Sequence, residues 1–480
     1  MNGPIIRVFS VVLLLFGVLM YFTTRWTVIE RDGLRDNPLN KRALLEEQRV
    51  HRGAIIAADG STLARSTRRR DATYSRRYPQ DGRFAQTVGY AFLSPGNAGL
   101  ERQYNGELLG RDAGLDRALR RLQGREERGS DLRTSLDPVA QQVAIDALNG
   151  RAGAVVALDP RSGRVKVAAS LLDYDPNVLR ERKGQEQLNS AKGSPLLNRT
   201  TAGLYPPGST MKVVTAIAAL DSGRFTPGSV IDGSSGIDIS GVPLSNAGGT
   251  DYGRIDLTTA LTRSVNTVWA QVGEQVGKRT MERYMKRLGF YEKAEVDLPA
   301  AERLTSGTYC RKDGDLQLVP ATDDCVDIGR AAIGQDVLLA TPLQMAMVAA
   351  TVANGGRLMR PVIATRAIDA EGRTTLENQP EEMSTVMKPS AARDLTAMMT
   401  RVVQEGSGTA AALLGIEVAG KTGTAERDVS RNITQPWFIA FAPADSPRIA
   451  IAVTIERTIG GFGGTDAAPI AKAVMESLLR

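Results

Sequence analysis

The chain has 480 residues, 42% of them apolar and 24% charged, which excludes a disordered or collagen-like polymer and allows two or three domains with a sizeable core. Lys and Arg outnumber Asp and Glu by 60 to 53, a net charge of +7. That excess is spread along the chain and aromatic residues make up only 5%, so a stacking nucleic-acid surface is excluded, while weak attraction to anionic surface polymers or lipid is not.

The first element is an apolar run, Val8 to Phe22, lengthened by Ile5 and Ile6. With Arg7 able to snorkel, it is long enough to span a bilayer. A cleaved signal peptide is the rival reading, but no small-x-small cleavage site follows, and Trp26 suits a membrane interface. An uncleaved anchor is therefore expected. Arg25, Arg31, Arg35, Lys41 and Arg42 all follow it, yet long domains translocate largely regardless of such charges, so the bias leaves orientation open.

Residues 30–130 are rich in Arg and Gly, with short strand-like pieces such as Gly53–Ala57 and one amphipathic helix expected over Leu115–Gln123. The triplet Arg68-Arg69-Arg70 reads as a solvated loop, with a polyanion contact as the sharper alternative. From Gly153 the pattern strengthens. Ala154–Asp159 and Arg164–Ser170, around Pro-Arg-Ser-Gly, predict a β-hairpin. Trp437–Ala442 and Ile449–Glu456 predict another, and Ala467–Leu479 a closing helix with Ile470, Val474 and Leu478 on one face. Mostly helical patterns lie between. Strands at both ends and helices in the middle predict an α+β layout, one mixed sheet with an inserted helical lobe. A cleft between the two is a natural site.

Cys310 and Cys325 are 15 residues apart, with no CxxC and no His nearby. One His, His51, and two Cys exclude most metal sites. A disulfide fits a domain outside the cytoplasm; two buried thiols are the plainer alternative.

His51 is also the only candidate imidazole base, and it follows the apolar segment closely. Nucleophilic chemistry must find its base elsewhere. In Tyr205-Pro206-Pro207-Gly208-Ser209-Thr210-Met211-Lys212 the prolines and glycine force a turn, and Thr210–Leu220 then predicts a helix stopped by Gly223, with Val213, Ile217 and Leu220 as its buried stripe. Ser209 stands at the helix N-terminus and Lys212 follows at i+3, on the same side. An ordinary serine needs a base, and a lysine serves when burial, the helix end and a second cation lower its pKa. Alone, the spacing is common, and an N-cap serine with a surface lysine explains it. Ser264-Val265-Asn266 falls inside a helical segment, Ile255–Gly277, and its side chains reach a cleft only if the helix breaks there. Lys421-Thr422-Gly423-Thr424 reads as strand, offering a cation, hydroxyls and a backbone N–H where Gly423 lets a bound chain approach. The plainer reading of that stretch is an edge-strand lysine.

Together, SxxK, SxN and KTG in this order form the set of serine penicillin-binding proteins and β-lactamases. The chain resembles a class B penicillin-binding protein, similar to the actinobacterial penicillin-binding protein A type. Arg52-Gly53-Ala54-Ile55 with Ala58-Asp59-Gly60, and Gly99-Leu100-Glu101 with Tyr104-Asn105, resemble the landmarks of its pedestal. Asp173–Asn177 and Ile333-Gly334-Gln335, followed by Thr341–Gln344, resemble those of its transpeptidase domain. Asp336 departs from the pattern, where a glycine is more usual.

The resemblance implies a penicillin-binding-protein/serine β-lactamase-like fold, an antiparallel sheet flanked by helices plus a helical lobe, behind a small pedestal. The expected division is an anchor at 1–25, a pedestal at 26–130 and a transpeptidase domain at 131–480. It implies a D,D-transpeptidase in which Ser209 attacks a stem peptide ending in D-Ala-D-Ala and Lys212 takes the proton. Ser264 and Lys421 relay it, Asn266 holds the substrate amide, and Thr422, Gly423 and Thr424 bind the carboxylate end. The backbone N–H groups of Ser209 and Thr424 form the oxyanion hole. The implied partners are peptidoglycan stem peptides, β-lactams, the membrane, and a glycosyltransferase or a division or elongation complex. No cofactor, metal or nucleic acid is implied. The implied location is the cell membrane, single-pass, with the bulk of the chain outside the cytoplasm. About 100 residues before the catalytic region are too few for a second synthase domain. A β-lactamase, a carboxypeptidase and a non-catalytic β-lactam sensor are the remaining alternatives.

Overall fold

The computed structural model describes residues 2–26, 47–111, 128–428 and 430–480; the helix expected over Leu115–Gln123 lies outside them. Asn2–Thr24 forms one uninterrupted α-helix, long and apolar enough to cross a membrane and exposed at every described side chain.

The strands predicted near the two ends of the catalytic region unite in one sheet. Its order is Ala419–Asp428, Ile433–Ala442, Ile449–Ile455, Gly153–Leu158 and Val165–Leu171, and Thr458–Ile459 adds a short strand beside Ile433–Ala442. Every pairing is antiparallel, so the sheet is not mixed as the sequence pattern had indicated. The central strands are buried on both faces, which is why they read as near-continuous apolar runs rather than alternation. Helices Pro138–Leu148 and Ala468–Leu479 pack on one face, and Pro342–Ala353, itself almost wholly buried, packs on the other.

The lobe between the strands is less helical than expected. Short hairpins interrupt it at Ile237–Ile239 with Val242–Leu244 and at Gly307–Lys312 with Asp315–Val319. Strands of three to six residues are too short to impose a readable alternation. Cys310, on the strand Gly307–Lys312, is disulfide-bonded to Cys325, with Cα atoms 6.5 Å apart. Helix Met211–Asp221 is buried from Met211 to Leu220, all round rather than along one stripe. Asn266–Val276, Lys278–Arg287, Ile328–Ala332 and Pro389–Gln404 all pack on it.

A second sheet forms the pedestal, in the order Thr374–Glu377, Ala364–Ile368, Asp131–Thr134, Ile55–Ile56, Thr62–Arg68 and Tyr74–Arg77. Two of its strands come from residues 364–377, so the pedestal sheet is completed by chain from the catalytic half. The landmarks Arg52 and Glu101 meet here. Arg52 Nε and Arg76 Nε donate to the two Glu101 carboxylate oxygens at 2.6 and 2.5 Å, and Arg52 Nη1 reaches Asn105 at 2.5 Å. Glu101 is fully buried, and its two arginines hold its pKa below the usual carboxylate value against the penalty of burial. Removing the carboxylate would leave two buried guanidinium groups without an anion. Glu101→Ala is therefore expected to lower the stability of the detergent-solubilised chain by about 3–5 kcal/mol, read as a shift in the urea midpoint.

Candidate active site

The turn bearing Ser209 is a 3₁₀ segment, Gly208–Thr210, that leads directly into helix Met211–Asp221. It is pinned from several sides. Gly208 N donates to Gly334 O at 3.0 Å, Thr210 Oγ1 to Pro207 O at 2.7 Å, and the Trp437 indole to Pro206 O at 3.0 Å. Tyr205 exchanges backbone hydrogen bonds with Ala340 and donates its hydroxyl to Glu456 at 2.6 Å. The turn presses on the sheet's open edge, and glycines make the approach possible. A Cβ on Gly208, which sits at φ +54°, would lie 2.9 Å from the Thr424 carbonyl carbon; one on Gly423 would lie 2.8 Å from Pro207 O.

The segment predicted as one helix over Ile255–Gly277 breaks where its chemistry requires. Leu257–Thr262 ends and Asn266–Val276 begins, with Ser264 at φ +56° between them, a conformation few L-residues adopt. The break turns Ser264 and Asn266 toward Lys212. Lys212 Nζ lies 2.7 Å from Ser264 O, 2.7 Å from Asn266 Oδ1 and 3.2 Å from Ser264 Oγ. Lys421 Nζ lies 2.9 Å from Ser264 Oγ, 2.9 Å from Thr422 O and 3.4 Å from Thr422 Oγ1. The Ser264 hydroxyl thus joins two lysines, both fully buried.

None of these partners is a carboxylate. Burial, reinforced by the neighbouring Lys421 charge, holds the Lys212 amine well below the ordinary lysine range. Burial alone pushes Lys421 down to about 7. The bond geometry fits this order. A neutral amine donates twice and accepts once. The two short bonds of Lys212 go to oxygens that can only accept, and the long one to a hydroxyl that can donate. Lys421 faces one carbonyl and two hydroxyl oxygens.

Lys421 through Thr424 lie on the edge strand Ala419–Asp428. Thr424 is opposite Pro436, whose carbonyl accepts from Thr454 Oγ1 on the far side. Since N–H and C=O of one strand residue point the same way, Pro436 turns away from Thr424. Thr424 then presents its N–H on the open edge, beside the Ser209 turn. Its hydroxyl accepts from Gly463 N at 3.2 Å. The Thr422 hydroxyl is 2.5 Å from Ser407 Oγ, a partner that the sequence does not announce; Ser407 sits between two glycines in the loop after helix Pro389–Gln404. Asp336 adopts φ +62°, which explains why a glycine suits that position.

The eight expected site residues thus fall on one helix start, one helix break and one strand edge, and hydrogen bonds join Lys212, Ser264, Asn266, Lys421 and Thr422. The cluster can deprotonate a hydroxyl at Ser209, return a proton through Ser264 and hold an extended chain along the edge strand.

In solution, the depressed lysines have a consequence for stability. Between about 7, the folded pKa of Lys421, and the ordinary lysine value, the unfolded chain binds more protons than the folded one. Stability therefore rises with pH across that window, by up to about 1.4 kcal/mol per pH unit from Lys421. Denaturation at several pH values should show this slope in the wild type, and Lys421→Met should show a shallower one that keeps only the Lys212 share.

Comparison with known proteins finds two family models along the chain. A sequence model of the penicillin binding protein transpeptidase domain matches residues 153–476, and one of the penicillin binding protein A dimerisation domain matches 52–132. The peptidoglycan D,D-transpeptidase PbpA of Mycolicibacterium smegmatis is 33% identical, over 100% of this chain and 99% of its own. The PbpA of Mycobacterium tuberculosis is likewise 33% identical over 100% and 99%. The structure of penicillin-binding protein A from M. tuberculosis as a ceftriaxone acyl-enzyme superposes with a TM-score of 0.82 at 30% identity, covering 91% of this chain and all of that one.

Proposed function

The chain belongs to the penicillin-binding protein transpeptidases, a peptidoglycan D,D-transpeptidase, and from that premise we propose that Ser209 is its acylated nucleophile and Lys212 the base. The observation that carries the assignment is Lys212 itself, a fully buried amine with no carboxylate among its hydrogen-bond partners. Burial and the Lys421 charge hold such an amine well below the ordinary lysine range, which frees a lone pair on the residue three positions after Ser209.

Ser209 Oγ attacks the carbonyl of the penultimate D-alanine as its proton passes to Lys212 Nζ. The oxyanion that forms is met by the N–H groups of Ser209 and Thr424, donors each worth about 3 kcal/mol in such sites. Asn266 holds the substrate amide, and Lys421 with the Thr422 and Thr424 hydroxyls receives the terminal carboxylate, where Gly423 leaves the chain room. The tetrahedral adduct collapses, the C–N bond breaks, and the leaving amine takes a proton from Ser264, which is resupplied from the lysine on either side. The amine of a second stem peptide then attacks the ester, loses its proton along the same path and releases Ser209. A β-lactam enters as a mimic of the D-Ala-D-Ala end, and its severed nitrogen stays tethered in the leaving-group position.

Placement follows from the substrate, which lies outside the membrane. Residues 1–25 form a single-pass anchor, 26–130 a pedestal and 131–480 the catalytic domain, with the bulk of the chain extracytoplasmic and within reach of a glycosyltransferase or a division or elongation complex.

Intact-mass measurement after incubation with a penicillin tests the nucleophile. One adduct is expected, mapped to Ser209, and Ser209→Ala is expected to fold and gain no mass; an adduct on another serine would overturn the assignment. The fate of that adduct distinguishes transfer from hydrolysis. It should persist for many minutes, while turnover of a peptide thioester donor should rise when a D-amino acid acceptor is added. Rapid repeated hydrolysis of penicillin with no acceptor effect would instead indicate a β-lactamase.

A further inference from the structure

A cavity of about 340 Å³ opens in the pedestal, and none of its lining residues belongs to the acyl-transfer cluster. Four arginines from three segments line it: Arg52, Arg69 and Arg76 on or beside the pedestal sheet, and Arg180 at the end of the 3₁₀ helix Pro176–Arg180. Glu47 is the one carboxylate among the lining residues, and it pairs with Arg111 at 2.6 Å. Glu101 lies behind the wall and is shared by Arg52 and Arg76. Among the described residues, one carboxylate against two guanidinium groups, with Arg69 and Arg180 added, gives the cavity an excess of positive charge.

Two of its donors are unsatisfied. Arg76 has a side chain only 3% exposed, and its Nη2 has no hydrogen-bond partner. Arg180 Nε is also buried without a partner. The rest of the Arg180 head is fixed, since Nη2 donates to Arg76 O at 2.9 Å and the guanidinium lies 5.8 Å from the Phe92 ring centre. Its pKa is lowered by burial and then by the neighbouring Arg77 and Arg69 charges. A buried guanidinium N–H without an acceptor is costly. Here the two arginines that carry these donors stand on separate segments, and both line one concave space.

We propose that this cavity binds a phosphoryl group, a phosphate monoester or diphosphate, either free or carried on a lipid headgroup. The donors stand on separate segments. A planar carboxylate satisfies one guanidinium fork, whereas a tetrahedral, multiply charged phosphoryl group offers oxygens to several at once. The volume admits a diphosphate and excludes a folded polymer. The Arg68-Arg69-Arg70 triplet gains a role in the same step. Arg69 lines the cavity and donates to Ser75 Oγ at 3.2 Å, and its chain neighbours Arg68 and Arg70 are exposed, adding positive charge that raises the local concentration of anions.

The test is titration of the detergent-solubilised full chain with inorganic pyrophosphate, followed by phosphorus NMR, with dihexanoyl phosphatidate and malonate in parallel. Saturable pyrophosphate binding is expected. Arg69→Ala, an exposed position outside the Glu101 cluster, and Arg180→Gln should each weaken it about tenfold, while penicillin acylation stays at the wild-type rate. Tighter binding of the phosphatidate would assign the site to a headgroup, and equal binding to the phosphoryl group alone. Absence of saturable binding, affinity unchanged in both variants, or malonate binding as tightly as pyrophosphate would overturn the proposal.

Discussion

Two lysine amines buried without a counter-ion are the constraint around which the catalytic half is arranged. Burying an ammonium is so unfavourable that the group sheds its proton instead, and the surrounding chain must then satisfy an amine rather than a cation. It does so with a carbonyl, an amide oxygen and a hydroxyl, from Ser264 and Asn266. This requires the helix break at Ser264, because a continuous helix would keep the Ser264 carbonyl for its own backbone. It also requires the edge strand to deliver Lys421 to the other side of the same hydroxyl. The apolar helices around Met211–Asp221 supply the low dielectric that maintains the shift.

The pedestal is bound into this arrangement rather than appended to it. Tyr104 donates to buried Asp297 at 2.8 Å, and Asp297 in turn accepts from the backbone of Ile363 and Ala364 at 2.6 and 2.7 Å. Ala364 begins a strand of the pedestal sheet. One carboxylate therefore ties together the helical 99–108 region, the catalytic half and the strand that the catalytic half lends. Glu302 accepts from Gly99 N at 3.0 Å, and Asn177 exchanges hydrogen bonds with the backbone of Tyr78. Deleting residues before 131 would leave Asp131–Thr134 with an open sheet edge and strip the partners from buried polar groups.

The sequence made the local elements legible where a single period or a single motif decided them. Both main hairpins and the closing helix follow from apolar runs and turn residues, and the three motifs named the residues that the fold brings together in the candidate site. The rest depends on contacts distant in sequence. Nothing in Thr262–Asn266 marks a break, because the left-handed residue is a serine rather than a glycine. Residues 364–377 fall in the middle region whose patterns read as mostly helical, and only tertiary pairing makes them strands of the pedestal sheet. Ser407 carries no motif and is found through its contact with Thr422. Burial of Met211–Asp221 on every side was also hidden, since its single lysine reads as a solvent-facing break in the apolar pattern.

The same absence that lowers the lysine pKa also selects transfer over hydrolysis. A carboxylate beside Lys212 would stabilise its ammonium form, raise its pKa and weaken it as a base toward Ser209. A carboxylate in reach of the ester would also activate water and empty the enzyme before an acceptor arrived. The amines have hydroxyl, amide and carbonyl partners instead, an arrangement that favours acylation in the proposed mechanism, and among their described hydrogen-bond partners none is a carboxylate that would serve water. An incoming amine is a stronger nucleophile than water and returns its proton along the path by which the leaving amine received one, so it completes the reaction with the groups already present. Transpeptidation on this scaffold therefore follows from leaving an acid out.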